Sequence, residues 1–481
     1  MKSFYKIHLF LQSNKTNMKK LSLLTAIIIA LSVLDAEAQR RTTYESLVQR
    51  TDQPSTYIDH LVIPKNDSTG VAAFLFRLDY DFVPFLRKRP NMTPPTPEDE
   101  YFAPVRMGLE VFEGALRESR RSSRQTGTSV YRDTWSDTVW VATFDETKSR
   151  YNHVTGFMDT ELKKGSYHFE LQLGRGESVR EMASQRRNLV VPDYTSAETS
   201  SIFILNSLDI SDKKISGGLL NYGNNVLYGQ DYSLLVPLPL KSVNESDSYH
   251  LSIYRVRSGR TDETVSEARY TDEISKEELI SATLSTITRE ENGIYLQLEE
   301  DENGFRYAYF RVPNAEFENA RYKLVVKSDK SEKPIAERVI NSQWIDMPVS
   351  LYNIDVAIEM LKFIVSDSEL RRINSGSTAE RERKFREFWA ERDPTPDTEF
   401  NELMAEYYSR IDHAYRNFSS LQTPGYETDM GKAYILYGQP INVERRLPAN
   451  RPAREIWQYS DRTLIFEATT GFGDFRLVAE E

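Results

Sequence analysis

The spacing of apolar residues changes at Met347-Pro348, and this change divides the chain into two structural classes. Before it, apolar residues alternate with other residues over short stretches such as 105–111 and 167–173. A period of two is typical of half-buried β-strands. After Met347-Pro348, apolar residues recur every three or four positions, the period of an amphipathic helix. The sequence therefore predicts a β-rich region followed by a region that contains helices.

Two related blocks are predicted within the β-rich region. Short strand patterns are separated by clusters of Gly, Asn, Asp and Ser, as in antiparallel β-sandwiches. The sequence GSYHFEL at 165–171 is echoed by ARYKLVV at 320–326, where a tyrosine again introduces an apolar strand. We interpret the echo as two immunoglobulin-like β-sandwich domains, at 39–190 and 195–346, each closing on a tyrosine-led final strand.

Helical patterns follow in three places. Apolar residues fall at helical spacing over 354–365, and Ser377-x-x-Glu380 has the form of a capping box at the start of a charged helix. The clearest pattern is at 400–418, where an apolar stripe continues over about five turns. Its aromatic residues favour packing against a sheet.

Strand patterns return near the end of the chain. The short apolar run 433–437 stops at a glycine and is interpreted as the first strand of a small sheet. The runs 455–459, 463–466 and 475–478 supply its other strands. The sequence thus predicts an α+β domain over 350–481, with about three helices and a small antiparallel sheet.

The N-terminus has the features of a cleavable secretory signal peptide. Residues 18–20 supply a methionine and two lysines, and a 14-residue apolar run follows at 21–34. Ala36-Glu37-Ala38 then offers small residues at the two positions that a signal peptidase reads. We therefore expect residues 1–38 to be removed after initiation at Met18. The mature protein is expected to be exported to the periplasm, the extracellular space or the outer membrane.

Composition narrows the chemistry further. The net charge of −11 argues against nucleic acid as the main partner. The chain contains no cysteine, which excludes thiol catalysis, cysteine metal sites and a lipid anchor on cysteine. After the predicted leader, no segment is apolar enough over about 20 residues to span a membrane. We expect no cofactor and no metal, since the histidines are not paired at metal-ligand spacing.

Several short motifs together resemble the GWxTD domain family. They occur in the family's order, at 388–396, 425–429, 434–440, 455–457 and 471–475. The resemblance spans roughly Leu351 to Val478 and implies an exported bacterial protein with β-rich regions ahead of the domain. It implies no particular reaction. Tyr426 stands where the family has its namesake tryptophan, and Met430 stands where an arginine is common.

The segment Gly425-Tyr-Glu-Thr-Asp429 is interpreted first as structural. Glycine permits a tight turn, a Thr or Asp oxygen caps a helix, and the tyrosine packs over the joint. The wider set of structural motif residues is Gly425, Tyr426, Thr428, Asp429, Gly438, Pro440 and Trp457.

A functional interpretation of the same region is a binding surface on the C-terminal domain. Its candidate residues are Asp393, Glu402, Arg410, Tyr426 and Asp429. Arg410 follows Glu402 by about two helical turns, so both would lie on one face and could converge with Asp429 in a cleft.

Three hypotheses remain open from the sequence. The first is a non-enzymatic envelope protein that binds another envelope protein or a surface glycan. The second is a hydrolase that acts through Glu402 and Asp429, which would need to lie close together in a pocket. The third is an accessory component of an export or assembly machine. The sequence contains no phosphate-binding loop, nucleophile elbow or zinc-protease motif.

Overall fold

The described residues divide into a β-rich unit and a helical unit. The computed structural model describes residues 42–49, 56–116, 127–144, 146–149, 152–175, 181–183, 186–211, 214–257, 263–290, 293–345, 347–420, 422–447, 452–469 and 475–481. The β-rich unit contains the described residues of Gln53–Asp346 and Pro394–Asn401. The helical unit contains those of Met1–Asp52, Met347–Asp393 and Glu402–Glu481. The predicted signal peptide, 1–38, and the motif residues 471–474 lie outside the described residues.

The first part of the β-rich unit has nine strands in two sheets. One sheet has the order β1-β2-β6; in the other, β4 and β7 are central and pair with β3, β5, β8 and β9. The strands are β1 Thr56–Asn66, β2 Thr69–Asp79, β3 Leu86–Arg87, β4 Tyr101–Glu113, β5 Ser129–Val141, β6 His153–Lys163, β7 Gly165–Arg175, β8 Glu181–Ala183 and β9 Arg187–Val191.

Both sheets contribute to one hydrophobic core, because their alternating apolar residues point to the same interior. Phe74 and Phe76 of β2 lie in this core with Met107 and Leu109 of β4. The residues between them on β2, such as Leu75, lie in a second core with residues of the later strands. Strand β2 is therefore buried on both faces, which explains its nearly unbroken apolar sequence.

The second part of the β-rich unit has eleven strands and one short helix. Six strands close a barrel in the order β10-β11-β17-β16-β18-β13, and five form the sheet β12-β20-β19-β14-β15. The elements are β10 Phe203–Ser211, β11 Lys214–Leu219, β12 Asn225–Leu227, β13 Tyr232–Pro237, α2 Leu240–Glu245, β14 Ser248–Arg255, β15 Tyr270–Ser275, β16 Ile280–Glu290, β17 Gly293–Glu300, β18 Phe305–Val312, β19 Arg321–Ser328 and β20 Ala336–Gln343.

The two echoed segments form corresponding strands, β7 and β19. The hydroxyl of Tyr167 donates to the Lys163 carbonyl at 2.9 Å, and that of Tyr322 donates to the Glu318 carbonyl at 3.1 Å. Each tyrosine therefore reaches back four residues, in the manner of a tyrosine corner. The prediction that these strands close their blocks is wrong. Strands β8 and β9 pair with β7, and β20 pairs with β19, because strands placed in the interior of a sheet need neighbours on both edges.

The helical unit contains one short helix from the N-terminal part of the chain and five from the C-terminal part. The helices are α1 Tyr44–Val48, α3 Ile354–Met360, α4 Asp367–Ile373, α5 Thr378–Ala390, α6 Glu402–Phe418 and α7 Asp429–Tyr437. The predicted capping box at the start of α5 is present, with Ser377 and Glu380 each bonded to the other's backbone. The helical pattern at 354–365 is only partly α-helical: α3 ends at Met360, a 3-10 turn spans Leu361–Phe363, and Ser366 then caps a new helix, α4.

The prediction of a strand at 433–437 is wrong, because these residues end helix α7. Thr428 caps the N-terminus of α7 by accepting from the Gly431 amide at 3.0 Å. Gly438 ends the helix with a positive φ of 78°, a backbone conformation that glycine adopts readily because it has no Cβ. A five-residue apolar run fits a strand or a buried helix equally well, so its own spacing could not decide between them.

A four-stranded antiparallel sheet completes the helical unit, in the order β21-β22-β23-β24. Its strands are β21 Asn442–Arg446, β22 Arg454–Gln458, β23 Thr463–Ala468 and β24 Phe475–Glu480. Met430 and Ala433 of α7 share a core with Trp457, Leu464 and Phe466 of this sheet. The described chain is thus mostly β, with 46% of residues in strands, and its helices lie mainly in the C-terminal part as predicted. The predicted number of about three helices is too low.

Candidate functional site

The motif segment 425–431 is a close-packed turn that joins α6 to α7. A Cβ atom on Gly425 would lie 1.9 Å from the Ala414 carbonyl oxygen, and one on Gly431 would lie 1.8 Å from the Gly425 oxygen. Both glycines are required by this close approach of backbone to backbone. The Thr428 hydroxyl also donates to the Gly425 carbonyl at 2.8 Å, so the cap of α7 and the turn are one structure.

Tyr426 is 6% exposed and packs among the helices of this unit, in the surface that α1 covers, which we call the groove. Its ring contacts the ring of Tyr44 edge-on at 5.2 Å and stacks with Tyr415 at 6.1 Å. Its hydroxyl donates to the carboxylate of Glu45. Burial, with Glu45 beside it, raises the pKa of the Tyr426 hydroxyl well above its usual range. Tyr426 is therefore a neutral hydrogen-bond donor at ordinary pH.

A second tyrosine, Tyr44, enters the groove from the N-terminal helix α1. Its hydroxyl donates to Oδ1 of Asp412 at 2.7 Å, while Oδ2 of Asp412 accepts from the Val349 amide at 3.0 Å. Burial and the neighbouring Asp412 raise the pKa of Tyr44 far above its usual range. Asp412 thus connects the N-terminal helix to the start of the helical region.

A lysine lies beside the same groove. Lys362 pairs with Glu427, and its ammonium is 5.4 Å from the centre of the Tyr426 ring. Burial opposes ionisation of Glu45, but the hydrogen bond from Tyr426, supported by Lys362, brings its pKa below the usual value. The groove therefore presents hydroxyl and ammonium groups to the carboxylate of Glu45.

Two predicted binding residues, Arg410 and Asp429, contact different parts of the helical unit. Asp429 accepts from the Leu477 amide at 3.0 Å, at the N-terminus of α7. Arg410 pairs with Glu406 at 2.7 Å and reaches the Ile435 carbonyl at 3.4 Å, towards the other end of α7. Ile435 follows Asp429 by six positions on α7, a rise of about 9 Å along the helix axis.

The remaining two predicted binding residues lie at helix ends. Glu402 is the first residue of α6 and is exposed. Asp393 is half-buried just after α5, and its amide donates to the Ala390 carbonyl at 3.4 Å.

The other motif residues have structural contacts. The Gly438 carbonyl accepts from the Tyr459 hydroxyl at 3.0 Å, and Pro440 leads from α7 into β21. Trp457 is buried, and its Nε1 donates to Glu455 at 2.9 Å. Met430 is 7% exposed in the same core. An apolar side chain suits this position, because a buried charge needs a partner.

The contacts of Tyr44 and Glu45 in α1 with Asp412 and Tyr426 of the groove were not predicted from the sequence. A weak signal exists, since Tyr44 and Leu47 are spaced as neighbours on one helical face. It could not identify their partners, because the hydrogen bond from Tyr44 spans 368 positions and the one to Glu45 spans 381.

Two kinds of feature are absent from the described residues. No helix among them is long and apolar enough to cross a membrane. Within the same residues, no group of three or more His, Asp or Glu side chains is arranged to hold a metal ion.

Comparisons with known proteins identify the C-terminal part of the chain. The family model of the GWxTD domain matches residues 324–473. The match confirms the resemblance seen in the motifs, and it begins earlier than expected, within β19 of the β-rich unit. A search of curated proteins found no match. Among solved structures, a mutant of the enterotoxigenic E. coli adhesin CfaE matches with 10% identity, 60% of this chain, 92% of that chain and a TM-score of 0.13. So low a score supports no conclusion about this chain.

Proposed function

Since this chain is a GWxTD domain-containing protein, we propose that it is an exported envelope protein that acts by binding or scaffolding without catalysis. Its β-rich unit supplies two immunoglobulin-like sandwiches, and its helical unit supplies a binding groove. In the first part the two sheets share one core, and in the second part the five-stranded sheet shares a core with strands β10, β13 and β18 of the barrel, so each part contains two packed β-layers that support a sandwich. The partner class is another envelope protein or a surface glycan.

The main support for the proposal comes from the contacts that the motif segment makes with other parts of the protein. Gly425 and Thr428 form a turn and a helix cap, and Tyr426 holds another segment of protein through its ring and hydroxyl. These are contacts that bind and position polypeptide. By contrast, Asp429 accepts from the Leu477 amide and Arg410 pairs with Glu406, so each of these two side chains has a structural contact of its own.

Export and binding can be tested together in the native host. The full chain, tagged at its C-terminus, is expected in the envelope fraction with Gln39 as its first residue by N-terminal sequencing. It should co-purify with a specific envelope component after cross-linking. Cytoplasmic protein that still carries the predicted signal peptide, residues 18–38, would contradict the export proposal.

A conservative double variant separates binding from hydrolysis. Glu402→Gln with Asp429→Asn removes both carboxylates of the hydrolase hypothesis and keeps an amide oxygen for the Leu477 amide. We expect unchanged partner capture and an unchanged phenotype. A lost phenotype with normal folding and unchanged capture would favour the hydrolase. Glu406→Gln, which alters only an exposed pair with Arg410, is the matched control.

A further inference from the structure

Helix α1 is ordered by the surface against which it packs. It has five residues, and a capping box between Thr43 and Ser46 fixes its start. Isolated helices of this length are not stable in water. Its two anchors, Tyr44 and Leu47, are only 2% and 8% exposed. The order of this segment therefore comes from the groove in which it lies.

The groove recognises three features of the segment. Asp412 accepts from the Tyr44 hydroxyl, Tyr426 donates to the Glu45 carboxylate, and an apolar core covers Leu47. A tyrosine, an acid directly after it and a leucine three positions after the tyrosine are thus matched by three separate parts of the groove. This is the pattern of a short helix recognised in a groove by spaced anchors.

The side-chain hydrogen bonds that hold α1 in the groove join residues more than 360 positions apart, so they do not depend on closeness along the chain. A second copy of the protein presents the same atoms in the same order. Exchange of a segment between copies keeps every contact, which makes it a low-cost route to a dimer. In the sequence, seven positions, 49–55, separate the end of α1 from the start of β1, and short connections favour exchange.

We propose that the groove formed around Tyr426 and Asp412 also binds the segment Thr43–Val48 of a second copy, so that two chains exchange this segment in a dimer. The proposal rests on the proposed binding function and specifies one partner for it. The contact surface is the groove, and its ligand is a short helix carrying Tyr, an acid and Leu.

Two complementary variants test the exchange. The segment variant, Tyr44→Ala with Leu47→Ala, keeps its groove but loses both anchors. The groove variant, Asp412→Asn with Tyr426→Phe, keeps its segment but loses two hydrogen-bonding groups and little volume. By sedimentation velocity, the wild-type mature chain should form a dimer whose fraction rises with concentration. The segment variant should stay monomeric over the same concentrations, because a segment without its two buried anchors docks neither in its own groove nor in that of a second copy, and this docking is what holds the proposed dimer together.

Mixing gives the decisive result. The two variants together should form a heterodimer, because the intact segment of one fits the intact groove of the other. A labelled peptide of residues 42–49 should bind the segment variant, and the same peptide with Tyr44→Ala should not. Wild-type protein that stays monomeric up to about 100 µM, with no heterodimer on mixing, overturns the proposal even if the peptide binds, because a dimer with a Kd above that range is too weak to be specific.

Failure of exchange is distinguishable from failure of the binding function. Capture of an envelope partner by a monomeric wild-type chain would overturn exchange and leave the binding function supported. Circular dichroism of both variants shows whether they keep the fold. If the groove variant unfolds, the labelled peptide and the segment variant still decide whether the groove accepts the segment from another molecule.

Discussion

The tyrosine-led strands of the β-rich unit and the motif segment of the helical unit use the same chemistry over very different chain distances. Tyr167 and Tyr322 each donate a hydroxyl to a carbonyl four residues upstream. Tyr426 donates to Glu45, 381 positions away. The first arrangement is local and recurs wherever the short sequence recurs. The second exists only when distant parts of the chain have come together.

The largest effect is expected where the motif segment is packed most closely. Gly425→Ala places a methyl group 1.9 Å from the Ala414 carbonyl oxygen, and the surrounding atoms are backbone that cannot rotate away. We expect the helical unit to lose about 3 kcal/mol of its free energy of unfolding, measured by urea denaturation.

Gly108→Ala is the matched control, because the nearest atom to its added methyl would be 3.6 Å away. A change within about 0.5 kcal/mol is expected there. Equal losses at the two positions would show that close backbone approach is not what Gly425 provides.

A smaller loss of stability is expected when the tyrosine hydroxyls of the two tyrosine-led strands are removed, and it should differ between the two strands. Tyr322→Phe removes the hydrogen bond to Glu318 from a side chain that is 1% exposed, and should cost about 1 kcal/mol. Tyr167→Phe should cost less, because Tyr167 is half-buried and water can replace its bond to Lys163. Thermal unfolding of the two variants measures the difference. A larger loss for Tyr167→Phe would contradict the comparison.

The smallest effect is the pH dependence of the long-range contact. Glu45 has a lowered pKa in the folded chain, so its contribution is fully present above the ordinary glutamate pKa of about 4.3. It is lost as the pH falls through the folded value. We therefore expect the unfolding midpoint of the wild type to drop more steeply below about pH 4 than that of Glu45→Gln. Parallel curves for the two proteins would show that Glu45 does not contribute to the pH dependence of stability.

Much of the fold could be predicted from residue spacing because spacing reports on the element that contains it. The alternation at 105–111 gave a strand, the stripe at 400–418 gave helix α6, and Ser377 with Glu380 gave a cap. The ordered motifs also identified the GWxTD domain. The run 433–437 failed because five apolar residues carry no decisive period.

The sequence by itself determined the change from β-structure to helix, the two tyrosine-led strands and the family of the C-terminal domain. Tertiary structure alone decided that β2 is buried on both faces, that 433–437 is helical and that α1 lies in the groove of Tyr426. The physical reason is the range of the interactions. Periodicity and capping act within about one turn or a few residues, whereas a groove and its bound segment meet only after folding brings residues 44 and 426 together.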